Sequence, residues 1–336
     1  MSSPGQKSAL IIHPGGLGDV LLSLPAISAI RRNSPACEIV LLAGSEIGQL
    51  LRECGIVERS LSIESGVLAS LFGGVELSPP LQRQMTDCDC VVGWLADADG
   101  ALRTTFQQSG IDRIVLGSPV PQRGVHQSKR FLDVLGAQRG NHSGPVHVVV
   151  PDTLKQPGVE LLRGIGLSRD QAFVMCHPGS GSCHKCVRPE VMAEVIRNFQ
   201  QHGAQPVLIA GPADQEAVEC VRGFGLQAIP VIRRQSLRTI TGILAQARLF
   251  VGHDSGLTHL AAALQIPTVA IFGPTDSRQW APLGDHVSVV TGPPCSCLSW
   301  DQVRACERKP CLAIAAGQIL EVSFSILSRY RSVTIS

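Results

Sequence analysis

Aromatic side chains are scarce in this 336-residue chain, which holds nine Phe, three Trp and one Tyr. That scarcity excludes a platform on which successive bases of a single strand could stack. A surplus of one charge is missing too. The 29 Lys and Arg stand against 27 Asp and Glu, and a net charge of +2 is too small for the basic field that nucleic acid calls for. No stretch approaches the twenty apolar residues of a membrane-crossing helix, and the opening MSSPGQKSAL has no apolar core of a secretory leader. The expectation is a cytoplasmic protein, with peripheral contact at the inner face of a membrane left open. The 44% hydrophobic content is enough for two ordinary globular cores.

Short apolar runs alternate with helical stretches along the whole chain. Ala9–His13, Glu38–Ala43, Asp89–Gly93 and Arg113–Leu116 read as buried strands of a parallel sheet, with a helix over Asp19–Arg32 that Pro25 should bend. The second half repeats the pattern. Phe173–Cys176, Pro206–Ala210, Ala228–Pro230, Leu249–Gly252 and Thr268–Phe272 read as strands, and Pro189–His202, Asp214–Gly223, Ser236–Ala247 and Gly256–Leu264 as helices. PDTLKQPG interrupts the pattern within 150–166 and reads as the link between halves. Such alternation predicts an α/β fold, doubly wound in each half. The expected division is 1–160, 161–315 and a terminal helix within 316–336 able to pack back on the first domain.

Two glycine-rich turns follow strands and precede possible helices: HPGGLGDV (13–20) and HPGSGSCHK (177–185). Backbone N–H groups and the helix dipole converge at such a turn, which makes it an anion site. In the first, Asp19 follows Gly15, Gly16 and Gly18 and reads either as a helix cap or as a general base for an acceptor hydroxyl. In the second, Lys185 lies just beyond Ser180, Gly181 and Ser182, as a point charge for a diphosphate. A third segment, GHDSGLTHLAAAL, puts Asp254, Ser255 and Gly256 at a strand end and His259 in the first helical turn. Neither G-x-G-x-x-G nor G-x-x-x-x-G-K-[ST] is present. The absence of the first weakens an NAD(P)-dependent oxidoreductase, which stays as an alternative beside a non-catalytic nucleotide-binding protein.

Taken together, GGLGDVLLSLPAISAIR, HPGSGSCHK and DSGLTHLAAALQIPTVAIFGPTD resemble, in order and spacing, the signature regions of glycosyltransferase family 9. That family contains the ADP-heptose:lipopolysaccharide heptosyltransferases. The resemblance implies a GT-B fold, two Rossmann-like domains facing a central cleft, and an inverting transfer that needs no metal or other cofactor for catalysis. It gives Asp19 the role of base. Gly16, Gly18, Ser180, Gly181, Ser182, Lys185, Asp254, Ser255, Gly256 and His259 fall on the donor side, with Asp214 or Glu216 near the ribose. The implied partners are a nucleotide-sugar, ADP-linked by preference, and a saccharide or glycolipid acceptor held by basic residues such as Arg123, Lys129 or Arg130. One departure reshapes the donor pocket: Val187-Arg188 stands where the family has an aromatic-Pro pair.

Of the twelve cysteines, Cys37, Cys54, Cys176 and Cys220 read as small core residues. Cys295, Cys297, Cys306 and Cys311 place four thiols within seventeen residues, a set that could hold structural Zn²⁺ or iron. Cys183 and Cys186 form a separate C-x-x-C that could join Cys295 and Cys297. The resemblance adds a precedent, a four-cysteine metal finger in the autotransporter heptosyltransferase group. Free or disulfide-paired thiols are the alternative.

Overall fold

The computed structural model describes residues 8–63, 67–72, 79–136, 144–168 and 171–331. The chain divides into two compact units, Met1–Val148 and Val149–Ser336. In the first, β1 (Ser8–Ile12), β2 (Glu38–Ala43), β3 (Arg59–Ser62), β4 (Cys90–Gly93) and β5 (Arg113–Leu116) form a parallel sheet in the order β3-β2-β1-β4-β5. In the second, β6 (Phe173–His177), β7 (Gln205–Ala210), β8 (Val231–Arg233), β9 (Leu249–His253), β10 (Thr268–Phe272) and β11 (Val287–Thr291) run β11-β10-β9-β6-β7-β8, again parallel. Both orders are those of a doubly wound nucleotide-binding sheet. All five residues of β1, β6, β9 and β10 are buried, as strands covered on both faces must be.

Each sheet reverses its strand order at one place, between β1 and β4 in the first unit and between β6 and β9 in the second. Ligands of open α/β sheets bind beyond the carboxyl ends of the strands at that reversal. In register, Ile12 lies between Leu42 and Gly93, and His177 beside Gly252. The residues that follow these positions include those the sequence singles out.

Several boundaries differ from expectation. The segment containing PDTLKQPG is a helix, Asp152–Gly164, packed on the helix Leu237–Leu244, so the division of the chain falls at 148/149. Asp19–Arg32 is two helices, Leu17–Leu22 and Leu24–Asn33, joined at Ser23. Pro25 has no N–H to extend the first helix and instead sits in the opening turn of the second. The strand expected at Ala228–Pro230 lies one step on, at Val231–Arg233. The carbonyl of Pro230 still accepts Leu208 N–H at 2.9 Å, but its ring nitrogen has nothing to donate. β3 and β11 were not expected. The terminal helix, Ala316–Arg331, packs against β9, β10, β11 and the helix Pro189–Gln201, and buries Ile319 and Ile326 in the core of the second unit. Among the described residues no helix is long and apolar enough to cross a membrane.

Candidate active site

In the second unit the site grows from the carboxyl ends of β6 and β9. Each strand ends on a buried histidine, His177 and His253. His253 accepts Val187 N–H at Nε2 (3.1 Å), so its Nδ1–H donates to the Gly179 carbonyl at 3.2 Å. One imidazole thereby pins both ends of the glycine-rich loop. Ser180 Oγ ties the same loop to β9 by donating to the Asp254 carbonyl at 2.7 Å. Gly179 is obligatory for steric reasons, since a Cβ there would lie 2.1 Å from Asp214 Oδ1.

Asp254, 7% exposed, is the hub of the anion side. Its Oδ2 accepts from Lys185 Nζ and Thr275 Oγ1, both at 2.8 Å, and His259 Nε2 lies 4.0 Å from Oδ1. Lys185 is also 5.8 Å from the centre of the Trp300 ring. An ammonium carries three N–H groups, so pairing with Asp254 aims the lysine without using it up. Ser255 caps the helix Gly256–Ala263, accepting Thr258 N–H at 3.4 Å, and its Oγ lies 3.3 Å from His177 Nδ1. His177 Nε2 completes the chain by meeting Asp214 Oδ2 at 2.9 Å. The Asp214 carboxyl is opposed by burial, but the His177 hydrogen bond and charge and the Gly211 N–H together hold it below its ordinary value. These elements border a cavity of about 630 Å³ lined by Ser180, Arg188, Met192, Glu216, Val221 and Lys309, among others. Asp214, buried and bonded to His177, and the exposed Glu216 both line that cavity.

Burial pushes His253 down to about 4, helped by the charge of His177, and burial likewise pushes His13 in the first unit down to about 4. Both are neutral in the folded protein near pH 6, where an unfolded histidine of ordinary value 6.5 begins to protonate. The unfolded state therefore binds more protons between about pH 6.5 and 4, and stability falls as pH falls through that window. Each histidine contributes a slope of up to about 1.4 kcal/mol per pH unit. The urea midpoint should drop markedly from pH 6.5 to 4.5, and a flat midpoint would contradict the burial of both rings. Asp214 adds its own loss only below about 3.8, because its carboxyl is held under that ordinary value.

In the first unit Asp19 is the third residue of the helix Leu17–Leu22, with Gly16 as the cap and Gly18 inside the helix. Its Oδ2 accepts the Gly16 N–H at 3.1 Å, so the capping geometry is real. The capping bond engages one carboxylate oxygen, so the cap does not by itself exclude the base role. Of the basic residues considered for an acceptor, Lys129 is paired with Asp133 at 2.8 Å and Arg123 is exposed.

The cysteines need correction. All twelve are free thiols. Cys37 and Cys176 are buried as expected, but Cys220 is exposed and Cys54 only partly covered. The thiols of Cys295, Cys297, Cys306 and Cys311 do approach one another. Burial and those neighbours push Cys297 up to about 11 and Cys311 up to about 12. Yet among the described residues no group of three or more His, Cys, Asp or Glu is arranged to hold a metal ion, and the expected Zn²⁺ or iron site is not seen there. Cys183 and Cys186 line the cavity described above, and burial pushes Cys186 up to about 12.

Sequence reasoning missed His13, His177, His253 and Thr275. The signal was there, because HPG occurs after both β1 and β6 and GHD closes β9. A histidine ending a buried strand just before a turn is placed to hold that turn.

A parallel doubly wound sheet in each of two units is the architecture of the GT-B type. Residues 136–310 match the model of glycosyltransferase family 9 (heptosyltransferase). The chain is 25% identical over 297 residues to lipopolysaccharide heptosyltransferase 3 of Escherichia coli, covering 80% of this chain and 84% of that one. A family 9 glycosyl transferase from Veillonella parvula superposes with a TM-score of 0.79 at 16% identity, over 98% and 99% of the two chains. E. coli ADP-heptose lps heptosyltransferase II does so with a TM-score of 0.75 at 20% identity, over 96% and 99%. The chain belongs to glycosyltransferase family 9, which displaces the oxidoreductase and non-catalytic alternatives.

Proposed function

We propose that this glycosyltransferase moves a heptose from ADP-heptose to a lipopolysaccharide-core-like or related saccharide acceptor, with inversion and without a catalytic metal. The observation that carries the donor half is the pairing of Lys185 and Thr275 with the carboxylate of Asp254, two residues before the helix Gly256–Ala263 begins. A departing nucleoside diphosphate gains charge as the glycosidic bond breaks, and an ammonium beside a helix N-terminus stabilises that charge. Ser180, Gly181, Ser182, Ser255, Gly256 and His259 complete the donor side, with Asp214 or Glu216 near the ribose. In the transfer, the acceptor hydroxyl oxygen forms a bond to the anomeric carbon as the bond from that carbon to the diphosphate oxygen breaks. The hydroxyl proton passes to Asp19. A single carboxylate suffices because the acceptor itself is the nucleophile. Such an acceptor puts the protein in the cytoplasm, in peripheral contact with the inner membrane face. The names of lipopolysaccharide heptosyltransferase 3 and of ADP-heptose lps heptosyltransferase II, both from E. coli, favour heptose as the sugar and adenine as the base.

Thermal stabilisation by ADP, UDP, GDP and NADH tests the donor. Saturation at roughly a hundred times Kd adds about 2.7 kcal/mol and shifts the midpoint by a few degrees. A selective response to ADP supports the reading, and a selective response to UDP or GDP replaces its base. Lys185→Gln keeps a donor for Asp254 while removing the charge. It is expected to weaken ADP by about 10–100-fold, the value of a charge-assisted hydrogen bond. Unchanged ADP affinity in a titration removes Lys185 from the diphosphate. The anomeric configuration of the product, read by NMR, decides inversion, and turnover after chelation decides metal independence.

A further inference from the structure

Beneath the Gly15–Gly16 turn lies an imidazole that the proposed transfer does not use. His13 follows β1 directly and is 1% exposed. Its ring centre lies 5.3 Å from that of Trp94 and 5.1 Å from that of Phe131. The cage is fixed by backbone contacts: His13 N–H donates to Leu42 O at 2.9 Å, Trp94 N–H to Ile12 O at 3.0 Å, and Trp94 Nε1–H to Phe131 O at 3.1 Å. Three separate segments of the first unit hold one ring in place.

His13 Nδ1 accepts the Gly15 N–H at 3.1 Å, so the proton of the neutral ring sits on Nε2. Nε2 has no hydrogen-bond partner among the described residues. The opposite tautomer, or the imidazolium, would set two N–H groups against each other at Nδ1. The fold therefore keeps an acceptor at this position even though it leaves a buried donor unmatched.

Gly15 is wedged between His13 and Asp19. A Cβ on Gly15 would fall 2.8 Å from His13 Cε1 and 2.7 Å from Asp19 Cβ, and 3.1 Å from Asp19 Oδ2. The next amide, Gly16 N–H, donates to Asp19 Oδ2 at 3.1 Å. The two amides of the turn are thus divided, the first to the imidazole and the second to the carboxylate. Without an acceptor at position 13, Gly15 N–H would be left beside the Asp19 carboxylate, whose Oδ2 lies 3.1 Å from the place of a Gly15 Cβ. Two amides on that carboxylate would draw it into the turn and make it a weaker base.

We infer that His13 is a positioning residue for Asp19: by taking the Gly15 N–H it keeps that amide off the carboxylate, which takes the Gly16 N–H, and so fixes the turn from which Asp19 meets the acceptor hydroxyl. The inference rests on Asp19 being the base.

Two substitutions separate this role from packing. His13→Leu fills the space beside Trp94 and Phe131 but cannot accept a hydrogen bond. His13→Asn puts Oδ1 where Nδ1 stands and leaves a gap. The expected result is a kcat lower by about 10–100-fold in His13→Leu with the KM for the nucleotide-sugar unchanged, and a kcat within about threefold of the parent in His13→Asn despite its lower Tm. A packing role alone gives the reverse order, and any result in which Asn is not the more active of the two overturns the inference. Adding His13→Leu to Asp19→Asn should cost nothing further, because the group being positioned is already disabled. If Asp19→Asn by itself retains turnover, the base reading has failed. If Asp19→Asn is inactive and Asn at 13 is no better than Leu, only the positioning role has failed.

Discussion

Asp19→Asn should lower kcat by about 10²–10⁴-fold, the range for a positioned base, while leaving ADP binding and Tm nearly unchanged. The substitution is chosen for what it keeps. Asn Oδ1 can still accept the Gly16 N–H that Asp19 Oδ2 takes at 3.1 Å, so the cap of the helix Leu17–Leu22 survives. An Ala at this position would remove cap and base together and confuse stability with chemistry. Steady-state kinetics with a thermal scan of the same preparation checks the prediction. Turnover within about twofold of the parent would leave Asp19 as a cap and nothing more.

Gly158→Val should be the most destabilising single change in the helical layer of the second unit, by about 3 kcal/mol or more. A Cβ on Gly158 would lie 2.4 Å from the Gly242 carbonyl carbon and 2.5 Å from Ile243 N, and one on Gly242 would lie 2.1 Å from Leu154 O. The helices Asp152–Gly164 and Leu237–Leu244 therefore touch backbone to backbone, and neither can yield by rotating a side chain. At about 2–4 °C per kcal/mol for a domain of this size, Tm should fall by roughly 6–12 °C. Gly164→Ala in the same helix is the control. A Cβ there meets nothing within 4 Å, so the midpoint should stay level or rise. Equal losses at 158 and 164 would refute the close approach.

That helix also marks where the sequence misleads. Pro157-Gly158 reads as a loop because each residue disfavours helix by itself. Pro157 stands inside the helix Asp152–Gly164, and Gly158 supplies the clearance for Gly242. Tertiary packing outweighs local propensity at these two residues, and no periodicity announces it. β3 escapes for another reason: RSLS at a sheet edge is partly exposed and offers no apolar run. Cys220 was misjudged by neighbourhood, since Val218 and Val221 share the buried face of the helix Gln215–Arg222 and Cys220 points away from it. The strand-turn-helix segment was legible because a buried strand, a glycine turn and a capped small-residue helix follow one another without interruption from Leu249 to Ala263. The groups that hold it were not, because the partners of His177 and His253 lie 37 to 78 residues away in the chain.

The glycine-rich loop between β6 and the helix Pro189–Gln201 has only one short turn of regular structure, Cys183–Lys185. Four of its amides, at its C-terminal end, are nonetheless occupied: His184 N–H by Ser182 Oγ, Lys185 N–H by Ser182 O, Cys186 N–H by Cys183 O and Val187 N–H by the ring of His253. In hydrogen exchange such a segment behaves as part of the sheet beside it and not as a surface loop. The Val187 amide is the telling one, since its partner is a buried side chain that loses its acceptor on protonation. Exchange there should be slow at neutral pH and quicken, relative to the strand amides of β9, as the solution is taken toward pH 4.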